Sequence, residues 1–365
     1  MHIELLSCAN TRCGIGRYTN ELGQHLANTP HQVHGLRKDS PDSRVFDVYP
    51  HRSFRNLRHY VAPVYLAKAL KSLQADVFLA DYVDAASSFF WHVPKQPYLL
   101  FTNVHDAIPF MYPTSGIAFN VYRQQLKFAI SHSYNILVVS EASKKDLVMY
   151  TGIEPDRVEV VHNGINHHMF YPDKQKKKND IFTIRYVGGL SGAHKNAELL
   201  IHAAHTLEQR GLNFNMEIGG GYPENTVLPE LVKSLNVQSV TFKGFIPDDE
   251  LRSFYAGADL FLYPSKYEGF GFPPLEAMAC GTATVSSKAG SLEEVLGYGA
   301  ITVSPESHTL AMAVETVMRQ PNLKKDLEQR AVQRASEFTW QKSAEKHLAV
   351  FEKALSNVRL QRRVS

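Results

Sequence analysis

The amino-acid sequence predicts an α/β protein built from two doubly wound halves, each a parallel sheet with helices on both faces. Three observations lead to this. Short apolar runs alternate with segments of helical spacing from the first residues onward, the alternation stops once in the polar stretch 172–180, and it then resumes. Alternating β and α signals a parallel sheet, because parallel neighbours need a crossover that a helix fills. A length of 365 residues suits two such units.

In the first half, expected to span 1–171, the apolar runs 3–6, 77–80, 98–101, 136–139 and 158–161 read as buried strands. Helical spacing fills 18–26, 60–73 and 119–131 between them. From Tyr171 the chain is charged and without period, which suits a linker over 172–180. In the second half, 181–340, strands are expected at 182–187, 215–218, 240–242, 260–262, 283–285 and 301–303. Helices are expected there at 197–209, 228–235, 248–255 and 274–279, and a last helix over 341–365 is expected to pack back on the first unit. Doubly wound sheets bind ligands beyond the carboxyl ends of their strands, so the ligand is expected in the cleft where the two halves face each other.

Composition narrows the function classes. With 44% hydrophobic and 21% charged residues the chain is neither disordered nor of low complexity. No apolar run approaches the ~18 residues of a membrane span. The start, Met1-His2-Ile3-Glu4-Leu5-Leu6, reads as a first strand and not as a secretion signal. Cys8, Cys13 and Cys280 lack metal-ligand spacing, which fits a reduced, cytoplasmic compartment. A net charge of +3 gives no support to a nucleic-acid partner. The stretch 51–71 does carry Arg52, Arg55, Arg58, Lys68 and Lys71 without an acid, interleaved with Phe54, Leu57, Tyr60 and Tyr65. It is either a solvated helix face or a peripheral docking surface for anionic lipid headgroups on the inner face of the plasma membrane. Arg359, Arg362 and Arg363 form a second basic group at the end of the chain.

The most informative stretch is 259–281, DLFLYPSKYEGFGFPPLEAMACG. A buried strand ends at Tyr263, a loop carries Glu268-Gly269-Phe270-Gly271, and Pro273-Pro274 opens a helix, where a missing N–H costs nothing. Two glycines beside a helix N-terminus let backbone N–H groups approach an anion, most naturally phosphate or diphosphate. Glu268 and Glu276 would repel a phosphate, so both are expected to accept hydrogen bonds from hydroxyls. Glu276 alone could be an acid in the first helical turn that complements the dipole. Glu268, in a glycine loop, has no such structural reason. Lys195 reads as a lysine in a first helical turn, where its charge is mildly unfavourable unless an anion is near. Taken alone, His105 could be a structural histidine and Asp106 a helix cap. The chain contains no Asp-x-Asp and no Walker A lysine.

The Glu-x7-Glu spacing within EGFGFPPLEAMACGT resembles the signature of the family 4 retaining glycosyltransferases, whose GT-B fold has two Rossmann-like domains facing across a cleft. Other segments resemble that family in the same order. They are Cys13-Gly14-Ile15-Gly16-Arg17-Tyr18, His105-Asp106, Val139-Ser140-Glu141-Ala142-Ser143, His162-Asn163-Gly164-Ile165, Tyr186-Val187-Gly188-Gly189-Leu190 with Lys195-Asn196, and Ala289-Gly290-Ser291-Leu292-Glu293-Glu294-Val295. The resemblance runs over 3–340.

The resemblance implies a role for each matching residue. Glu268 would contact hydroxyls of the donor sugar, Glu276 the nucleotide ribose, and Lys195 the donor diphosphate. Gly14 and Gly16 would let the first loop approach that diphosphate, His105 would stand beside the donor sugar, and Glu294 near the nucleotide, with Gly269, Phe270 and Gly271 shaping the donor loop. Many members carry arginine where this chain has Gly189. A second cation must then come from Arg17, His194 or backbone amides.

The implied activity is retaining transfer of a hexose to a saccharide or lipid-linked saccharide acceptor in polysaccharide or glycolipid assembly. GDP-mannose is the first donor expected and a UDP-hexose the second. Neither a cofactor nor a metal ion is expected, and front-face attack with the leaving phosphate taking the acceptor proton is the expected mechanism. A GT-B phosphorylase, an epimerase and a non-catalytic nucleotide-sugar-binding subunit remain alternatives, since fold does not fix reaction.

Overall fold

The computed structural model describes residues 1–9, 14–39, 45–49, 58–71, 73–94, 96–113, 116–173, 175 and 179–364. Cys13, Arg52, Phe54, Arg55 and Leu57 lie outside the described residues, as do the side chains of Arg58, Tyr60, Arg362 and Arg363. The chain divides into two compact units, Met1–Gly164 with Trp340–Ser365, and Ile165–Thr339.

Among the described residues the first unit holds a seven-stranded parallel sheet. Its strands are β1 (His2–Leu6), β2 (Gln32–Arg37), β3 (Phe46–Val48), β4 (Val77–Ala80), β5 (Leu99–Val104), β6 (Asn135–Val138) and β7 (Val158–Val160). They lie in the order β3-β2-β1-β4-β5-β6-β7. β4 and β6 are buried along their whole length, which is why they read as unbroken apolar runs. The chain winds outward from β1 to β3 and then returns to β4 beside β1, so the direction of winding reverses between β1 and β4.

β2 and β3 carry no apolar run, and the sequence reading passed over both. One of their polar side chains, His34, is paired across the sheet on both sides. His34 on β2 stands 2.7 Å from Glu4 on β1 and 3.0 Å from Asp47 on β3. The hydrogen bond to Glu4, reinforced by both carboxylates, lifts the imidazole to about 9, and the charged ring donates to each neighbour. Gly35, also on β2, lies directly under the ring of Phe46.

The second unit holds a six-stranded parallel sheet among the described residues. Its strands are β8 (Phe182–Val187), β9 (Phe214–Gly219), β10 (Val240–Gly244), β11 (Leu260–Tyr263), β12 (Ala283–Ser287) and β13 (Ile301–Val303). The order β10-β9-β8-β11-β12-β13 puts its reversal between β8 and β11. This unit begins before the polar stretch 172–180. Ile165 bridges to Thr339, and Phe170 is buried against Tyr255 at 5.9 Å.

The last helix, Trp340–Val364, belongs to the first unit and packs on the helix Gly14–Ala27. Nδ1 of His347 donates to the Ser343 carbonyl at 2.7 Å, so Nε2 accepts from the Tyr18 hydroxyl at 3.0 Å. Phe351 meets Phe101 of β5 at 4.7 Å. Among the described residues no helix is long and apolar enough to cross a membrane.

Gly35→Ala should destabilise the protein by about 1–3 kcal/mol, because the added methyl overlaps Phe46 and the pleat cannot shift without breaking pairing to β1. A lowered urea midpoint would show it; an unchanged midpoint would mean that Phe46 moves aside freely.

Candidate functional site

Both reversals collect charged groups. In the second unit β11 ends at Tyr263, and the chain then passes Ser265 and Glu268 to reach Gly271, the N-cap of the helix Phe272–Ala279. Gly271 has φ +94°, and a β-carbon there would lie 2.6 Å from Leu292. Only glycine meets both demands. Pro273 occupies the first helical turn, as its missing N–H favours. From the other side Gly290 closes over the loop. Its φ is +56°, and a β-carbon there would lie 2.5 Å from the Glu268 carbonyl oxygen. That oxygen accepts the Ser291 N–H at 3.1 Å.

Glu268 is thus held at only 7% exposure. A buried carboxylate must be met by donors, and three residues supply them. Oε1 accepts from Ser265 Oγ at 2.7 Å and Tyr263 Oη at 2.9 Å. Lys195 Nζ lies 2.8 Å from Oε1 and 3.0 Å from Oε2. Burial, reinforced by the Glu268 charge, pushes the Tyr263 phenol well above its ordinary range, so it remains a donor.

Lys195 reaches this position from a turn closed by its own N–H on the Gly192 carbonyl at 2.8 Å. The next residue, Asn196, has φ +54° and donates to the Pro264 carbonyl at 3.1 Å. The helix that follows starts only at Glu198, so Lys195 precedes it and is not in its first turn as expected from the sequence. Gly189 lies beside it, and a β-carbon there would stand 3.6 Å from Lys195 Cγ, an ordinary contact. Space therefore does not forbid a side chain at 189. His194 is pushed down by burial and by the Lys195 charge, and so stays neutral.

Glu276 sits one turn further into the Phe272–Ala279 helix than the sequence reading placed it. The first turn holds no acid, so complementing the dipole does not explain it. It is buried, and Oε2 accepts from Tyr255 Oη at 2.7 Å. Phe270 is buried against Phe272 and Phe338, at 5.2 and 5.8 Å. Glu294 lies half-buried in the first turn of the Leu292–Leu296 helix, and Gly269 is buried in the loop itself.

In the first unit Gly14, Gly16 and Arg17 form the first turn of the helix after β1. Gly14 is exposed, Gly16 buried and Arg17 half-buried. His105 follows β5 at 8% exposure. Its Nε2 lies 2.9 Å from the Asp81 carbonyl, which can only accept, so Nε2 carries the proton and Nδ1 a lone pair. Burial drives this imidazole down to about 4, and the ring meets Tyr18 edge-on at 4.9 Å.

Sequence reasoning missed Asp81, although it directly follows the apolar run 77–80 at the β1/β4 reversal. Its Oδ2 accepts from Thr19 Oγ1 at 2.8 Å. Burial, with Asp84 nearby, raises it to about 7, against the pull of Ser7, Thr19 and Arg37. The structure brings Lys195 and Glu268 together in one unit, and the Tyr18–Thr19 turn onto His105 and Asp81 in the other. Among the described residues no group of three His, Cys, Asp or Glu is placed to hold a metal ion.

Asp81 makes stability depend on pH in a definite direction. Its native value of about 7 exceeds the unfolded 3.8, so its contribution is full below 3.8 and is lost as pH rises through 7. Asp81→Asn keeps an acceptor for Thr19 and cannot ionise. Its unfolding midpoint should therefore rise relative to the parent protein between pH 5 and 8, whereas a pH-independent difference would remove the buried carboxylate from this account.

Residues 169–334 match the family model for glycosyl transferases group 1, and residues 13–168 match the one for glycosyltransferase family 4. The O-antigen chain mannosyltransferase RfbU of Salmonella typhimurium is 30% identical over 222 residues, 60% of this chain and 61% of that protein. The MMP alpha-(1->4)-mannosyltransferase of Mycolicibacterium hassiacum is 30% identical over 230 residues, 61% of this chain and 55% of that protein. The chain spans less than two thirds of the length of either relative. Sucrose-phosphate synthase from Thermosynechococcus elongatus superimposes with a TM-score of 0.82 at 19% identity, over 98% of this chain and 100% of that one. Two adjoining family models and two Rossmann-like sheets of the GT-B kind lead to one statement: the chain belongs to glycosyltransferase family 4.

Proposed function

We propose that the protein is a retaining glycosyltransferase that moves mannose from GDP-mannose to a hydroxyl of a saccharide acceptor, without a metal ion. The observation that carries this reading is the buried Glu268 carboxylate, held by Tyr263, Ser265 and Lys195 at the β8/β11 reversal. Relatives named as mannosyltransferases favour mannose among the hexoses.

The roles are those that the family resemblance implies, and the geometry supports them. Tyr263 and Ser265 fix Oε1 of Glu268, which leaves Oε2 to accept from a donor-sugar hydroxyl in exchange for Lys195. The ammonium of Lys195 then turns to the donor diphosphate, with the glycine loop before it and the N-terminus of the Phe272–Ala279 helix as further donors. Tyr255 holds Glu276 for the ribose hydroxyls. In the first unit His105 offers Nδ1 to a sugar hydroxyl, and Gly14, Gly16 and Arg17 provide the anion-binding turn.

In the reacting step the bond between the anomeric carbon and the phosphate oxygen breaks, and the electron pair leaves with the nucleoside diphosphate. The acceptor oxygen bonds to the same face of that carbon, and its proton passes to the departing phosphate oxygen. Configuration is retained. Lys195 stabilises the charge that grows on the leaving group, which a fixed cation in a water-poor site does well. The absence of an Asp-x-Asp in the sequence supports the metal-free form of this step. Exposed Lys68 and Lys71, on a stretch without acids, support a cytoplasmic enzyme that touches an anionic membrane and acts on a lipid-linked acceptor.

Turnover of a nucleotide-sugar panel in EDTA tests the reading. GDP-mannose should be consumed at an undiminished rate; a strict Mg²⁺ requirement rejects the metal-free step, and turnover confined to UDP-sugars rejects the donor. Glu268→Gln keeps the shape and removes the charge, and should lower kcat by roughly 10²–10³ with the fold intact. A near-parental kcat would take Glu268 out of the site.

A further inference from the structure

The first unit contains a groove lined by none of the residues given these roles. Pro63 of the Arg58–Leu70 helix, Phe90 and Trp91, and Val121 and Phe128 of the Gly116–His132 helix line a space of about 590 Å³. Ligand pockets commonly enclose about 300–1,000 Å³ and have apolar walls. The aromatic wall is already assembled, with Phe90 edge-on to Trp91 at 5.3 Å and to Phe128 at 6.1 Å. Phe90 and Trp91 nonetheless remain 69% and 61% exposed. Adjacent large apolar side chains left to water mark a binding surface.

The charge around the groove has one sign. Lys127 lines it and is exposed, as is Arg123 on the same helix, and that helix carries no acid. Between Asp84 and Glu141 the sequence has one carboxylate, Asp106, and between Asp47 and Asp76 it has none. An amphiphile with an anionic head is matched on both counts.

We propose that this groove takes the single hydrocarbon chain of a prenyl-phosphate-type amphiphile, the lipid end of the acceptor, with Lys127 beside the phosphate. A groove of this volume, with Lys127 as the charged residue in its lining, suits a single apolar chain that carries one anionic head. The proposal rests on the lipid-linked acceptor reading given above.

Farnesyl phosphate below its micellar concentration is the probe. The protein has two tryptophans, and Trp340 is buried, so the exposed Trp91 reports on the groove. A saturable blue shift of its emission is expected, with none from inorganic phosphate. Ser131→Phe fills the groove from an exposed position, and Lys127→Glu reverses its charge; each should weaken binding about tenfold or more. Calorimetry of Trp91→Ser should show the same loss without relying on fluorescence. No shift, a shift indifferent to Ser131→Phe, or a shift given only by phosphatidylglycerol vesicles would overturn the proposal. Transfer from GDP-mannose to a water-soluble mannoside is measured in parallel. Binding of the probe without any transfer rejects the activity and keeps the groove, and transfer without probe binding rejects the groove alone.

Discussion

A doubly wound parallel sheet must reverse its winding once, and both units depend on how that reversal is filled. Where the crossovers diverge, the strand ends are left without a covering helix, and polar groups can be placed there inside an otherwise apolar layer. Desolvation then decides their state. Glu268 has hydroxyls from Tyr263 and Ser265 and the ammonium of Lys195 around it, so its negative charge is matched on the spot. Asp81 has the Thr19 hydroxyl but also shares its burial with Asp84, and it rises to about 7. The same position in the two sheets thus holds a carboxylate paired with a lysine in one and a carboxyl raised to about 7 in the other.

The glycines and aromatics around Glu268 make that pairing possible. Gly290 brings its loop against the backbone of Glu268 and Gly271 packs against the Leu292 side chain, so a side chain at either position would push the two loops apart. Tyr263 and Tyr255 come from the end of β11 and from the helix before it, so the groups that orient Glu268 and Glu276 belong to the rigid part of the unit. A site placed on a scaffold in this way loses little freedom when it engages a ligand.

Much of this was legible in the sequence because it depends on periodicity and local spacing. The buried strands announced themselves as apolar runs, and Glu268 and Glu276 as acids around a glycine loop and a proline-opened helix. What escaped depends on partners far away in the chain. β2 and β3 were hidden because His34 finds its partners, Glu4 and Asp47, on neighbouring strands that are distant in the sequence. Lys195 was placed a few residues too deep because the left-handed Asn196 holds the helix back to Glu198. Its pairing with Glu268 bridges the loops after β8 and β11, which no local pattern encodes. Asp81 was visible as a residue but not as a buried one, since its partner Thr19 lies far away in the sequence.

The return of the last helix to the first unit sets the order in which the protein can be finished on the ribosome. Phe101 and Tyr18 belong to early elements, yet their partners Phe351 and His347 lie on Trp340–Val364. The second unit can complete its sheet during synthesis, while the first waits with an apolar face open until those residues emerge. That makes the earliest-made half the last to mature, and the one most in need of protection as the chain is born.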